Sequence, residues 1–262
     1  NRSRLRTPSR VETVERLHAE GMLPGIVFVF SRAGCDQAVQ QCLASGLRLT
    51  DPGERARLRE IADAKTQTLA DADLEVLQHR DWLAGLEEGF AAHHAGMVPP
   101  MKEAVEEAFA AGLVKVVSAT ETLALGINMP ARSVAIEKLS KFTGERHEFL
   151  TPGEYTQLTG RAGRRGIDER GYAVVLWSPF VPFDQVASLA SRRTDALRSA
   201  FRPTYNMAAN LVRRYSKFEA HHLLNLSFAQ FHADRDVVTL ERQLERSRGH
   251  LARQRELTAN DS

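Results

Sequence analysis

Apolar residues follow two rhythms along this chain. Short continuous runs occur at Ile26-Val27-Phe28-Val29-Phe30, Leu113-Val114-Lys115-Val116-Val117, Ser133-Val134-Ala135-Ile136-Glu137 and Tyr172-Ala173-Val174-Val175-Leu176-Trp177. Such a run is too short for a core helix and predicts a strand buried on both faces. Between the runs, apolar side chains recur every three or four residues. Val11, Val14 and Leu17 predict a helix over 11–19, ended by Pro24-Gly25, and Ala38, Val39, Cys42 and Leu43 predict the helix after the first strand. Ala91 to Gly96 predicts a further short strand and its exit loop. Pro99-Pro100 then opens a helix carrying Ala104, Val105, Ala108 and Phe109. This alternation predicts an α/β fold with a mainly parallel sheet and helices on both faces.

The rhythm weakens in three places. Over about 47–90, Thr50-Asp51-Pro52-Gly53 predicts a turn, Glu54 to Ile61 a charged helix and Leu74 to Leu86 another. This is an expected helical insertion on the rim of the sheet. The first domain is expected over 1–197. Residues 198–233 lack strand runs, and Met207, Leu211, Leu223 and Leu224 suggest short packed helices. Over 234–262, Val237, Leu240, Leu244 and Leu251 keep a three-four spacing, with Ser247 in one step, the stripe of a helical arm.

Composition narrows the partners. The chain has 262 residues and a formal net charge of +2, so any nucleic-acid contact must come from local patches. Cys35 and Cys42 share one helix face and do not form a metal or redox pair, and no metal site is expected. No apolar run reaches the roughly 18–20 residues needed to cross a bilayer, so the expected setting is cytoplasmic, without a membrane partner. The start at Asn1 and the end in a charged helix predict a piece of a longer protein.

The chemistry concentrates in Gln157-Leu158-Thr159-Gly160-Arg161-Ala162-Gly163-Arg164-Arg165-Gly166. Arg161 and Arg164 each follow a glycine, and a helical start would put both guanidiniums on one face. Guanidinium is a permanently charged fork matched to phosphate oxygens. Two further loops stand beside predicted strands: Ser31-Arg32, and Ser118 to Pro130. Strand C-termini in a parallel sheet face one edge, so all three stretches are expected to line one cleft there.

These residues carry a resemblance. VFVFSR, FAAHHAGM, ATETLALGINMPAR and QLTGRAGRRGID occur in the order and at the spacing of motifs of the second RecA-like domain in superfamily 2 helicases, and the chain resembles the superkiller-like DExH group, actinobacterial type, over residues 9–190. Phe201 to Met207 resembles the entry to a degenerate winged-helix region, and the terminal stripe resembles the start of an arch. The resemblance implies ATP as cofactor, with Mg2+, bound mainly by a first RecA-like domain that this stretch lacks. It implies Arg164 as arginine finger, Arg161 sharing the γ-phosphate, Gln157 ordering the attacking water or coupling it to motion, and Gly126 and Asn128 at the nucleotide. It also implies that Ser31, Arg32, His94, Gly96, Met97, Thr120 and Thr122 hold a single strand of RNA, with DNA as the alternative, and that unwinding runs 3′ to 5′.

Blander readings stand beside these. Gln157 could cap a helix, Asn128 could be a turn residue, and Glu121 and Asp168 are read as structural. His93 and His94 are adjacent, so in a strand they point to opposite faces, and at least one is expected to be buried. Neither a GxxxxGK[ST] loop nor a DExH box is present in the sequence, so this stretch alone is expected not to turn over ATP. A DNA-repair helicase and a non-catalytic nucleic-acid-binding module are the competing readings. RNA-processing partners reached through the arch are expected.

Overall fold

The computed structural model describes residues 6–124, 129–142, 146–191 and 201–227, with 230–231, 237, 244 and 246–248 beyond them. The elements of the first unit, Asn1–Thr194, are α1 (Arg10–Ala19), β1 (Gly25–Phe28), α2 (Arg32–Ala44), α3 (Pro52–Thr66), α4 (Asp71–Val76), α5 (His79–Glu87), β2 (Phe90–His93), α6 (Pro99–Ala110), β3 (Val116–Ala119), a 3-10 turn (Glu121–Ala124), β4 (Ser133–Ile136), β5 (Ser140–Phe142), β6 (His147–Phe149), α7 (Pro152–Thr159), β7 (Tyr172–Val175) and α8 (Phe183–Ser191). The second unit, Asp195–Ser262, contributes α9 (Tyr205–Arg214) and α10 (Lys217–Asn225).

Five strands form one parallel sheet in the order β2-β3-β1-β4-β7. Ile26 stands opposite Val117 and Val134, and Phe28 opposite Ala119 and Ile136. Alternation then sends two sets of side chains to two faces. Ile26, Phe28, Val117, Val134 and Ile136 join Leu58 and Ala62 of α3, Val105 and Phe109 of α6, and Tyr155 and Leu158 of α7. Val27, Val116 and Ala135 join Val14 and Leu17 of α1 and Cys35, Val39 and Cys42 of α2. Full burial of Phe28 or Ile26 stabilises the fold by about 1.5–3 kcal/mol each. The expected fold class stands.

Several boundaries differ from expectation for local reasons. The third strand begins at Val116, because the amides of Leu113 and Val114 turn back onto the Ala108 carbonyl at 3.0 and 3.2 Å. Gly112, at φ +73, closes α6 in this way. Asp51-Pro52 is not a free turn but the start of α3: the Asp51 side chain accepts from the Glu54 amide, and Pro52 occupies the first turn. The expected helix from Leu74 to Leu86 is split into α4 and α5 by Gln78, at φ 51. The insertion is also more than a rim feature, since Leu58, Ala62 and Leu86 are each 0% exposed in the main core.

The antiparallel pair β5–β6, with Lys141 opposite Glu148, had no apolar run to announce it. In the second unit, Thr204 caps α9 and Ser216 with Glu219 forms a capping box on α10. Of the expected arm stripe, Val237 and Leu244 are exposed, while Leu240 and Leu251 lie outside the described residues.

Candidate nucleotide and nucleic-acid site

The C-terminal rim of the sheet is built first by β1. Phe30 follows it at φ 57, a left-handed conformation that costs a bulky residue on the order of 1–3 kcal/mol. The bend lets Ser31 cap α2, its Oγ accepting from the Gly34 amide at 3.0 Å. A Cβ on Gly34 would sit 2.4 Å from that oxygen, so a larger residue there would displace the capping hydroxyl. Arg32 opens α2 and is exposed.

The loop after β2 lies beside it. His94 is buried; its Nε2 lies 3.0 Å from Asp36 Oδ1, and its Nδ1 accepts from the Gly96 amide at 3.1 Å. Both ring nitrogens are therefore used inside the fold. His94, expected at the phosphates of a strand, uses both nitrogens to shape the loop in this structure. Its neighbour His93 is buried too, with Nε2 2.9 Å from Glu106 Oε1, and burial pushes its pKa below the ordinary value against the pull of that carboxylate. Gly96 is exposed, and a Cβ there would meet Arg32 Cδ at 3.3 Å. Met97 is half-buried against the core.

The third rim element follows β3. The Thr120 amide reaches the His93 carbonyl at 3.4 Å, and the Thr120 and Thr122 hydroxyls are 2.9 Å apart. Thr120 is buried whereas Thr122 is exposed. Ser31, Arg32, Gly96, Thr120 and Thr122 thus gather at one edge. Gly126 and Asn128 lie outside the described residues.

The arginine stretch departs from expectation. Thr151 and Glu154 cap α7 reciprocally, Tyr155 and Leu158 are buried, and Gln157 is left exposed. The helix ends at Thr159, so Arg161 and Arg164 are not on one helical face. Ala162 forms a parallel bridge to Ala131, with the Gly163 amide 2.7 Å from the Ala131 carbonyl. Ala131 precedes β4, so the stretch is anchored at the N-terminal ends of the strands, not at the rim. Arg161 still reaches towards the crossing loop, its Nη2 donating to the Ala124 carbonyl at 2.6 Å.

Arg164 is held by Asp168. Nε donates to Oδ2 and Nη2 to Oδ1, both at 2.8 Å, and the Arg164 amide donates to Oδ2 at 2.9 Å. The Asp168 side chain is only 4% exposed, and the hydrogen bonds from Arg164 draw its pKa down to about 2. The carboxylate in turn raises the pKa of Arg164. Read from sequence as structural, Asp168 is the direct partner of the candidate finger. Its position four residues on was the available signal. Gly171 was also missed: a Cβ there would lie 2.5 Å from the Ala162 carbonyl carbon and the Gly163 nitrogen. Among the described residues no cluster of His, Cys, Asp or Glu could hold a metal ion, and no helix is long and apolar enough to cross a membrane.

This five-stranded parallel α/β unit is a helicase C-terminal domain: residues 60–166 match the helicase conserved C-terminal domain family. The chain is 61% identical over 241 residues to "Probable helicase HelY" of Mycobacterium tuberculosis, covering 92% of this chain and 27% of that protein. It is 44% identical over 210 residues to "DExH-box ATP-dependent RNA helicase DExH15 chloroplastic" of Arabidopsis thaliana, covering 80% of this chain and 17% of that one. To "ATP-dependent RNA helicase mtr4" of Schizosaccharomyces pombe it is 35% identical over 237 residues, covering 90% and 21%. The chain belongs to the superkiller-like DExH group of superfamily 2 helicases. It spans about a quarter of the length of its mycobacterial relatives.

Proposed function

We propose that this chain supplies the C-terminal half of an ATP-driven RNA helicase motor, completed by a first RecA-like domain of the same protein. The observation that carries the reading is Arg164, half-buried and oriented by Asp168 within the family's arginine turn. ATP supplies a triphosphate whose terminal group accumulates charge as it leaves. Arg164 and Arg161 suit such an anion as permanently charged donors, and exposed Gln157 suits a water-ordering role. Gly126 and Asn128 are assigned to the nucleotide by resemblance alone. Mg2+ is assigned to the first domain.

RNA is preferred because relatives carry RNA helicase names. Arg32 adds support, since a cation at the first position of a helix opposes the helix dipole and contributes little to stability. That placement suits a phosphate ligand. Ser31, Gly96, Thr120 and Thr122 would grip the strand backbone without reading sequence, and Met97 would back the loop. Unwinding from 3′ to 5′, a cytoplasmic setting, a winged-helix role for 198–233 and RNA-processing partners on an arch starting at 234 complete the proposal.

The test is Arg164→Ala in the full-length protein. The saturated, RNA-stimulated hydrolysis rate should fall on the order of 10³–10⁵-fold with ATP binding little changed. Arg164→Lys should not restore it, because lysine lacks the fork. An unchanged saturated rate, with more RNA needed for half-maximal stimulation, would remove Arg164 from the chemistry. Matched tailed RNA and DNA duplexes separate the two substrates.

A further inference from the structure

Asp168 binds Arg164 side-on. A guanidinium carries five N–H groups, and the two bonds to Asp168 use the one on Nε and one on Nη2. Both protons of Nη1 and the second of Nη2 remain, and this second Nη2 proton with the adjacent one on Nη1 forms the end-on fork of the same plane. The Arg164 side chain is 24% exposed, whereas that of Asp168 is almost fully covered. The carboxylate also accepts the Arg164 main-chain amide at 2.9 Å, so both ends of the residue are fixed by one group. Two glycines at positive φ, Gly163 at +90 and Gly166 at +78, flank Arg164. The turn closes through the Ile167 and Asp168 amides, 3.0 and 2.9 Å from the Arg164 carbonyl.

We infer that Asp168 is the positioning residue of the arginine finger: it fixes the guanidinium plane from the side and leaves the end-on fork free for a phosphoryl oxygen. On this reading Arg164 need not release Asp168 to meet the nucleotide. A carboxylate that instead competed for the end-on fork would hold the finger back, and its removal would speed the reaction. The inference rests on the finger role proposed above.

The experiment compares Asp168→Asn, Arg164→Ala and the double variant in the full-length protein, with melting of each substitution followed in this 262-residue chain. Asparagine keeps the shape but turns an N–H group towards the guanidinium, so the plane is no longer fixed. Loss of alignment of this kind costs on the order of 10²-fold in rate. D168N is expected to lower the saturated hydrolysis rate by roughly 10–100-fold, with the half-saturating ATP and RNA concentrations within about twofold. In the Arg164→Ala background it is expected to add nothing, since coupled residues are non-additive. A residue that only folds the turn would show its loss in both backgrounds. Wild-type or faster turnover in D168N, or an equal further loss in the Arg164→Ala background, overturns the inference. If D168N melts below the assay temperature, Asp168→Glu replaces it; a lowered rate supports the inference and a full rate overturns it. An unchanged saturated rate in Arg164→Ala alone removes the finger reading and this inference together. A slow Arg164→Ala beside a fully active D168N removes only this one.

Discussion

The His94 imidazole joins the loop after β2 to helix α2 through Asp36, with Nε2 3.0 Å from Oδ1. Asp36 remains largely exposed while the ring is buried. His94→Ala should therefore lower the unfolding free energy by about 1–3 kcal/mol, because it removes a buried ring together with both of its hydrogen bonds. Asp36→Asn keeps an oxygen acceptor and should cost less than about 1 kcal/mol. Urea titrations of the two variants decide this; equal losses would mean that the hydrogen bond to Asp36, not the ring's bond to Gly96, organises the loop.

His93 gives a pH dependence of defined sign. Burial lowers its pKa in the folded chain, against Glu106 and with Lys102 and His94 adding to the lowering. The unfolded state then binds the proton more readily, so stability is present above about pH 6.5 and is lost as pH falls through the lower, folded value. His93→Gln should flatten the stability profile in that window. Parallel profiles for the two proteins between pH 5 and 8 would refute the assignment.

A second acid-side loss belongs to Asp168. Its pKa is about 2 when folded, so the contribution of its pair with Arg164 is present above the ordinary carboxylate range and is lost as pH falls from about 4. Asp168→Asn should remove this component without touching the His93 window. The check is acid unfolding followed by circular dichroism between pH 5 and 2.

Cys35 and Cys42 are free and buried, and burial pushes their thiols up to about 12 and about 11. Since the thiolate is the nucleophile, neither should react with a thiol reagent at pH 8 while the chain is folded. Labelling should follow unfolding, and fast labelling in native buffer would contradict the burial.

Gly171→Ala should displace the turn that carries Arg164, because the new Cβ would meet the Ala162–Gly163 peptide at 2.5 Å and backbone has no rotamer to yield. A loss of about 1–3 kcal/mol is expected. Faster amide exchange at Gly163, whose bond to Ala131 would be the first to open, is the local readout.

Sequence alone determined the layers of the first unit. Apolar runs at Ile26–Phe30 and Ser133–Glu137 can be satisfied only by burial on both sides, and the arginine turn with its ordered motifs is a local pattern fixed by residue type. Position across the fold was a different matter. The rim reading held for Ser31, Arg32, Gly96, Thr120 and Thr122, because each follows its strand directly. It failed for the arginine stretch, whose place depends on Ala162 bridging Ala131, a contact between segments about thirty residues apart. His94 shared a loop with the rim residues, yet only the approach of Asp36 and the Gly96 amide decided that its nitrogens face inward. Asp168 was visible as a residue and invisible as a partner: spacing places it one turn from Arg164, but a bidentate pair needs the chain bent around glycines at positive φ. Local sequence fixes which groups are available and how each element is patterned, whereas the long-range contacts that decide burial and hydrogen-bond partnership form only when the chain closes on itself.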